Sequence, residues 1–89
     1  MSILSDNLRY LRAQKKCSQQ HVANALLIAR GRYAKYEDEK SEPPIAILLL
    51  IAKYFEVSID LLLVVDLRDI PDGERNIGKV RDLPMRGTP

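Results

Sequence analysis

Apolar residues recur at helical spacing through the first two-thirds of the chain. Leu4, Leu8 and Leu11 stand at i, i+4 and i+7, which predicts an amphipathic helix over residues 4–15. Lys15 and Lys16 suit the C-terminal end of its dipole. Ser18 is a good N-cap, and Val22 and Leu26 carry the next apolar stripe. No turn residue follows, yet the helical phase breaks near Leu27, and "ARGRYAKYE" predicts a short third helix. "EDEKSEPP" at 37–44 reads as a loop, because Pro43 and Pro44 cannot continue a helix while Pro44 can begin one. Residues 44–55 then form a fourth helix, with Ile45, Leu48, Leu49, Ala52 and Phe55 expected inward. Ser58 caps a fifth, running to about Val65, with Asp60 favourably placed in its first turn. After Asp66 the periodicity fails, and Pro71, Gly73, Gly78, Pro84, Gly87 and Pro89 punctuate the rest. The pattern predicts an all-α domain of five helices over residues 1–65 and an extended or irregular C-terminal arm over 66–89. The arm holds a faint repeat, "LRDIPDG" from Leu67 and "VRDLPMRG" from Val80.

Composition changes this picture little. The 89 residues are 46% hydrophobic, which excludes a wholly disordered chain and allows one small domain with a tail. The net charge of +2 is a weak argument for a polyanionic partner, but its placement says more. Residues 29–36 carry three cations and no acid, residues 37–42 carry four acids and one lysine, and the arm carries five of each sign. The single Cys17 rules out an internal disulfide and fits a reducing, cytoplasmic setting. No secretory signal or membrane span is read, since the apolar run at 45–52 is too short to cross a bilayer. With one His and one Cys, zinc sites and Cys–His nucleophile pairs lack parts, and there is no glycine-rich phosphate loop. Cys17 reads as a small core hydrophobe and His21 as a solvated helix residue. No metal or cofactor is expected, and an enzyme is the least favoured class.

The third helix carries the functional signal. A glycine between two arginines costs a helix about 1 kcal/mol against alanine. On a helical wheel Tyr33 and Tyr36 share one face. The opposite face has Gly31 and Ala34 at its centre and Arg30 and Lys35 at its edges. Small residues let a helix backbone approach a surface closely, and flanking cations can then reach into it. A DNA major groove admits an α-helix, and Arg or Lys can bond guanine O6 and N7 there. A solvated basic face with an incidental glycine is the alternative that the wheel alone leaves open.

The surroundings weigh on that choice. "SQQHVANALLIARGRYAKYE" resembles the helix-turn-helix of the Cro/C1-type (XRE) repressor family, and the resemblance runs from about Leu4 to Leu63. Family sequences read approximately as Leu-Arg closing a first helix, then Leu-Ser-Gln, Leu-Ala, Trp-Glu-Asn-Gly, Pro, Leu-Ala and Val-Ser-Leu-Asp. Here "LR" stands at 11–12, "CSQ" at 17–19, "VA" at 22–23, "YEDE" at 36–39, then Pro43, Ala52 and "VSID" at 57–60. The elements come in order, at matching intervals, without a gap. The resemblance implies a lambda-repressor-like domain in which the second helix crosses a DNA backbone and the third enters the major groove. Carried over by position, it implies base reading by Arg30, Gly31, Ala34 and Lys35, and phosphate contact by Gln19 and Arg32. It also implies an ion pair between Arg12 and Glu37, while Ala23 lets two helices pack and Tyr33 and Tyr36 face the core. Three departures matter. Leu27 replaces the usual turn glycine, Asp38 and Glu39 replace the usual Asn-Gly, and Tyr33 is larger than the usual aliphatic residue. The two carboxylates are expected to weaken DNA binding and to leave Lys40 and Ser41 as the phosphate contacts of that loop.

The expected activity is sequence-specific binding of double-stranded DNA by a transcriptional regulator of repressor type. An antitoxin, whose arm would hold a protein partner, is the alternative. A protein-interaction module whose acidic loop has ended DNA binding is a third reading. A homodimer is expected on an apolar surface of Ile47, Leu50, Tyr54, Leu61 and Val65, with the arm as the rival cover for that surface.

Overall fold

The computed structural model describes residues 2–70, which form five helices and one 3₁₀ turn: α1 (Ile3–Lys15), α2 (Gln19–Leu26), α3 (Arg30–Glu37), α4 (Ile45–Phe55), α5 (Ile59–Val64) and the turn Leu67–Asp69. Each start has a local cause. The Ser2, Ser18 and Ser58 hydroxyls accept from the backbone N–H groups of Ser5, His21 and Leu61, giving three helices a side-chain N-cap. Pro44 sits at the N-cap of α4 rather than inside it, where its missing N–H is harmless. Three ends share a less comfortable solution. Lys16, Leu27 and Glu56 close α1, α2 and α4 in the left-handed region, a conformation that favours glycine. At the second of these, Leu27 N–H bonds Asn24 O and Ile28 N–H reaches back to Ala23 O at 3.0 Å, so the chain leaves α2 sharply.

α1 packs against α3, α5 and the 3₁₀ turn, α2 against α3 and α4, and α4 against α5. The core between them is built from Leu8, Leu11, Val22, Ala23, Leu26, Tyr33, Tyr36, Ile51, Phe55 and Leu62, all buried. Two outcomes depart from the sequence pattern. In α4, Leu48, Ile51, Ala52 and Phe55 turn inward, whereas Ile45 and Leu49, expected in the core, are 67% and 55% exposed. Residues 45–52 are apolar on every side, so periodicity carried no orientation there. The packed unit also runs past Val65. Leu67 is wholly buried, and Asn7 holds the segment in place: its Nδ2 donates to Leu62 O and Val65 O, both at 2.8 Å, and its Oδ1 accepts from Leu67 N–H at 3.0 Å. The start of the expected arm is therefore part of the domain; residues 71–89 lie outside the described residues. Among the described residues no helix is long and apolar enough to cross a membrane.

Candidate nucleic-acid interface

α3 is oriented by its two tyrosines. Tyr33 and Tyr36 are buried, with ring centroids 6.4 Å apart in an edge-to-face arrangement, and they fix which side of the helix faces out. The side opposite them presents Arg30, Gly31 and Lys35 exposed and Ala34 half-buried. A Cβ built on Gly31 would meet nothing within 4 Å, so nothing within the protein calls for a glycine at this position. Ala29 precedes α3 as its N-cap without a side-chain hydrogen bond. This face is thus a stretch of exposed backbone at Gly31 flanked by two cations, close to a helix start without a side-chain cap.

A polar chain that is buried at Glu37 and opens to solvent at Arg30 braces this helix. Glu37, its last residue, is 1% exposed. Arg12 of α1 grips it side-on, with Nε to Oε2 at 2.7 Å and Nη2 to Oε1 at 3.1 Å, while Arg12 Nη1 donates to Cys17 O. Gln19, the first residue of α2, donates from Nε2 to Glu37 Oε1 at 3.0 Å, and its Oε1 accepts from Arg30 Nη1 at 3.2 Å. Burial pushes the Glu37 carboxyl up, but the Arg12 guanidinium, the nearby Tyr33 hydroxyl and the Gln19 amide together hold it below the ordinary glutamate range. The Tyr33 hydroxyl lies buried against this cluster without a well-formed hydrogen bond; burial first, and Glu37 after it, push its ionisation up. Gln19 is expected at a phosphate, but in the structure both ends of its carboxamide are engaged within the protein. Its place is that of a link from the Arg12–Glu37 pair to Arg30.

The loop after α3 is folded back on the domain. Lys40 N–H and Ser41 N–H both reach Lys35 O, at 2.8 and 3.4 Å, and the side chains of Lys40 and Ser41 stand exposed. The two carboxylates expected to repel DNA are drawn toward α1 instead. Asp38 lies 3.5 Å from Arg9 Nη2, and Arg9 also donates to the Glu37 carbonyl at the end of α3. Glu39 Oε2 accepts from Ser5 Oγ at 3.1 Å, and a backbone hydrogen bond from Ser2 holds its carboxyl below the usual range. Arg32 donates from Nε to the Tyr36 hydroxyl at 3.0 Å, which leans it along the helix side. Arg9 and Asn7 escaped the sequence reading; Asn7 stands within the Leu4–Leu8–Leu11 stripe, where a polar residue was the available signal.

The surface read as a dimer contact is only partly open. Ile47, Tyr54 and Leu61 are half-buried and pack on the core, Val65 is half-buried, and Leu50 is 42% exposed. The open apolar face of α4 is Ile45, Leu49 and Leu50, beside Ala46. Among the described residues no three His, Cys, Asp or Glu side chains are placed to hold a metal ion.

A family model described as helix-turn-helix matches residues 8–62. The chain is 37% identical over 65 residues to the uncharacterized HTH-type transcriptional regulator YobD of Bacillus subtilis, covering 73% of this chain and 56% of the relative. It is 41% identical over 61 residues to YqaE of the same organism, named likewise, covering 68% of this chain and 53% of the relative. It is 36% identical over 59 residues to the HTH-type transcriptional activator BcrR of Enterococcus faecalis, covering 66% of this chain and 29% of the relative. The chain thus spans about half the length of the first two. No solved structure matches it.

Proposed function

The chain belongs to the Cro/C1-type helix-turn-helix family, and from that premise we propose that it is a sequence-specific DNA-binding transcriptional regulator acting as a repressor. α3 enters the major groove on its Arg30–Gly31–Ala34–Lys35 face. Arg30 and Lys35 read bases; Arg32, Lys40 and Ser41 contact phosphates on either side. Gln19 sets the Arg30 guanidinium and turns to a phosphate when Arg30 engages a base. The observation that carries this reading is Gly31: it is exposed, its side is empty, and it costs helix stability that alanine would restore. A close approach by an outside surface accounts for it.

The protein acts as a homodimer, with α4 of one subunit against α4 of the other through Ile45, Leu49 and Leu50. Two-fold dimers are the commonest oligomers, and paired helix-turn-helix units match half-sites about 34 Å apart.

The test is a pool of random duplexes from which bound sequences are selected, followed by Gly31→Leu and Arg30→Ala on the selected site. Gly31→Leu should fold at least as well as the parent and lose binding by more than tenfold. Arg30→Ala should relax the preference at one base pair, worth about 1–3 kcal/mol. Undiminished binding by Gly31→Leu would remove this face from the groove.

A further inference from the structure

A groove of about 440 Å³ lies between the N-terminus of α1 and the loop that follows α3. Leu4, Leu48, Leu63 and Pro43 give it an apolar floor, and Glu39 and Glu42 stand on its rim. It shares Ser41 with the proposed phosphate contacts but includes none of the proposed base-reading residues and none of the open face of α4.

The repeat in the sequence bears on this groove. The first copy begins Leu67-Arg68-Asp69-Ile70-Pro71, and its described residues, 67–70, pack on the domain: the turn Leu67–Asp69 lies against α1, with Leu67 fully buried and Ile70 half-buried. The second copy, Val80-Arg81-Asp82-Leu83-Pro84, has the same apolar-Arg-Asp-apolar-Pro order and lies outside the described residues. We propose that residues 80–86 of this chain occupy the groove in cis, as residues 67–70 occupy their own place on the domain.

Three observations support that occupant. The first is distance. The described part of the first copy ends at Ile70, just after Arg68, which lines a surface hollow with Asp6, Arg9 and Tyr10, and the groove opens at Ile3 and Leu4, two to seven residues or about 3–10 Å back along α1. The nine residues between Ile70 and Val80 span up to about 30 Å when extended, so reach is ample. The second is charge. Residues 79–86 carry Lys79, Arg81 and Arg86 against Asp82, which complements the acidic rim. The third is shape: Val80, Leu83 and Met85 supply apolar groups for the floor, and Pro84 disfavours helix at Leu83 and has no N–H to leave unpaired. Docking here would set cations beside the acidic loop that flanks the recognition face.

The test needs no DNA and is independent of the proposed regulator role. A spin label on Thr88→Cys, just beyond the docked segment, in a Cys17→Ala background of the full chain, should broaden the amide resonances of Leu4, Glu42 and Leu63 at least twofold and leave those of Gln20 and Asn24 unchanged. Leu83→Glu should restore the lost signals, and Glu42→Lys, an exposed change, should weaken the broadening. Mixing isotope-labelled chain lacking the spin label with unlabelled chain carrying it should give no broadening. Broadening that appears in that mixture would assign the groove to a second copy's arm and overturn the cis docking. Unbroadened groove signals, or broadening at Ile45 and Leu49 instead, would overturn the groove as the site.

Discussion

Leu27→Gly should stabilise the domain although it deletes a large side chain. Leu27 closes α2 at φ 62° and ψ 38°, and its side chain is 89% exposed. For an L residue the left-handed conformation costs about 1–2 kcal/mol, from crowding between Cβ and the following carbonyl. Glycine removes that cost, but it also loosens the unfolded chain, which takes back about 0.4–1 kcal/mol. Almost no apolar burial is lost, because the leucine side chain is already in water. The balance is a gain of about 0.5–1 kcal/mol, which for a domain of this size raises Tm by roughly 2–8 °C. Leu27→Ala separates the two causes. It deletes the same exposed side chain but keeps the Cβ that creates the strain, so it should stay within about 0.5 kcal/mol of the parent. Urea and thermal unfolding followed by circular dichroism measure all three chains. A glycine variant no more stable than the alanine variant would show that the turn carries no relievable strain.

Three further outcomes follow from the polar chain at Glu37 and the open face of α4. Arg12→Ala strands the buried Glu37 carboxylate and should cost about 3 kcal/mol in urea unfolding, the low end for breaking a buried pair because Arg12 is partly open to water; a loss under about 1 kcal/mol would mean that water replaces the guanidinium. Glu37 has a folded-state pKa below its unfolded value near 4.5, so the stability it contributes is fully present above that value and is lost as pH falls through the lower, folded one. Melts across the acid range should therefore show a shallower slope for Glu37→Gln than for the parent, and parallel slopes would remove Glu37 from the acid response. Leu49→Glu, at an exposed position, should leave the melting curve nearly unchanged and shift sedimentation from dimer to monomer; a parent that is already monomeric at about ten micromolar, well above typical specific DNA affinities, would refute the α4 interface.

The bounds of the five helices were legible in the chain to within about a residue. Serine hydroxyls at Ser18 and Ser58 cap α2 and α5 because a cap needs only the next few residues. The outward face of α3 was legible for a similar reason: Tyr33 and Tyr36 are three residues apart and must share a side, and that side is the large apolar one. Tertiary structure decided what local spacing leaves degenerate. α4 is apolar all round from Ile45 to Ala52, so only the positions of α2 and α5 could select Ile51 for the core and expose Ile45 and Leu49. Leu67 entered the core through a turn of three residues, too short for any period, where the side-chain amide oxygen of Asn7, sixty residues earlier, accepts from Leu67 N–H. Gln19 became a link between Glu37 and Arg30, and Glu39 turned to Ser5, because the ends of three helices and a loop meet within hydrogen-bond reach. Hydrogen bonds act over about 3 Å in space, and no property of a residue's own segment tells which distant group the fold will bring that close.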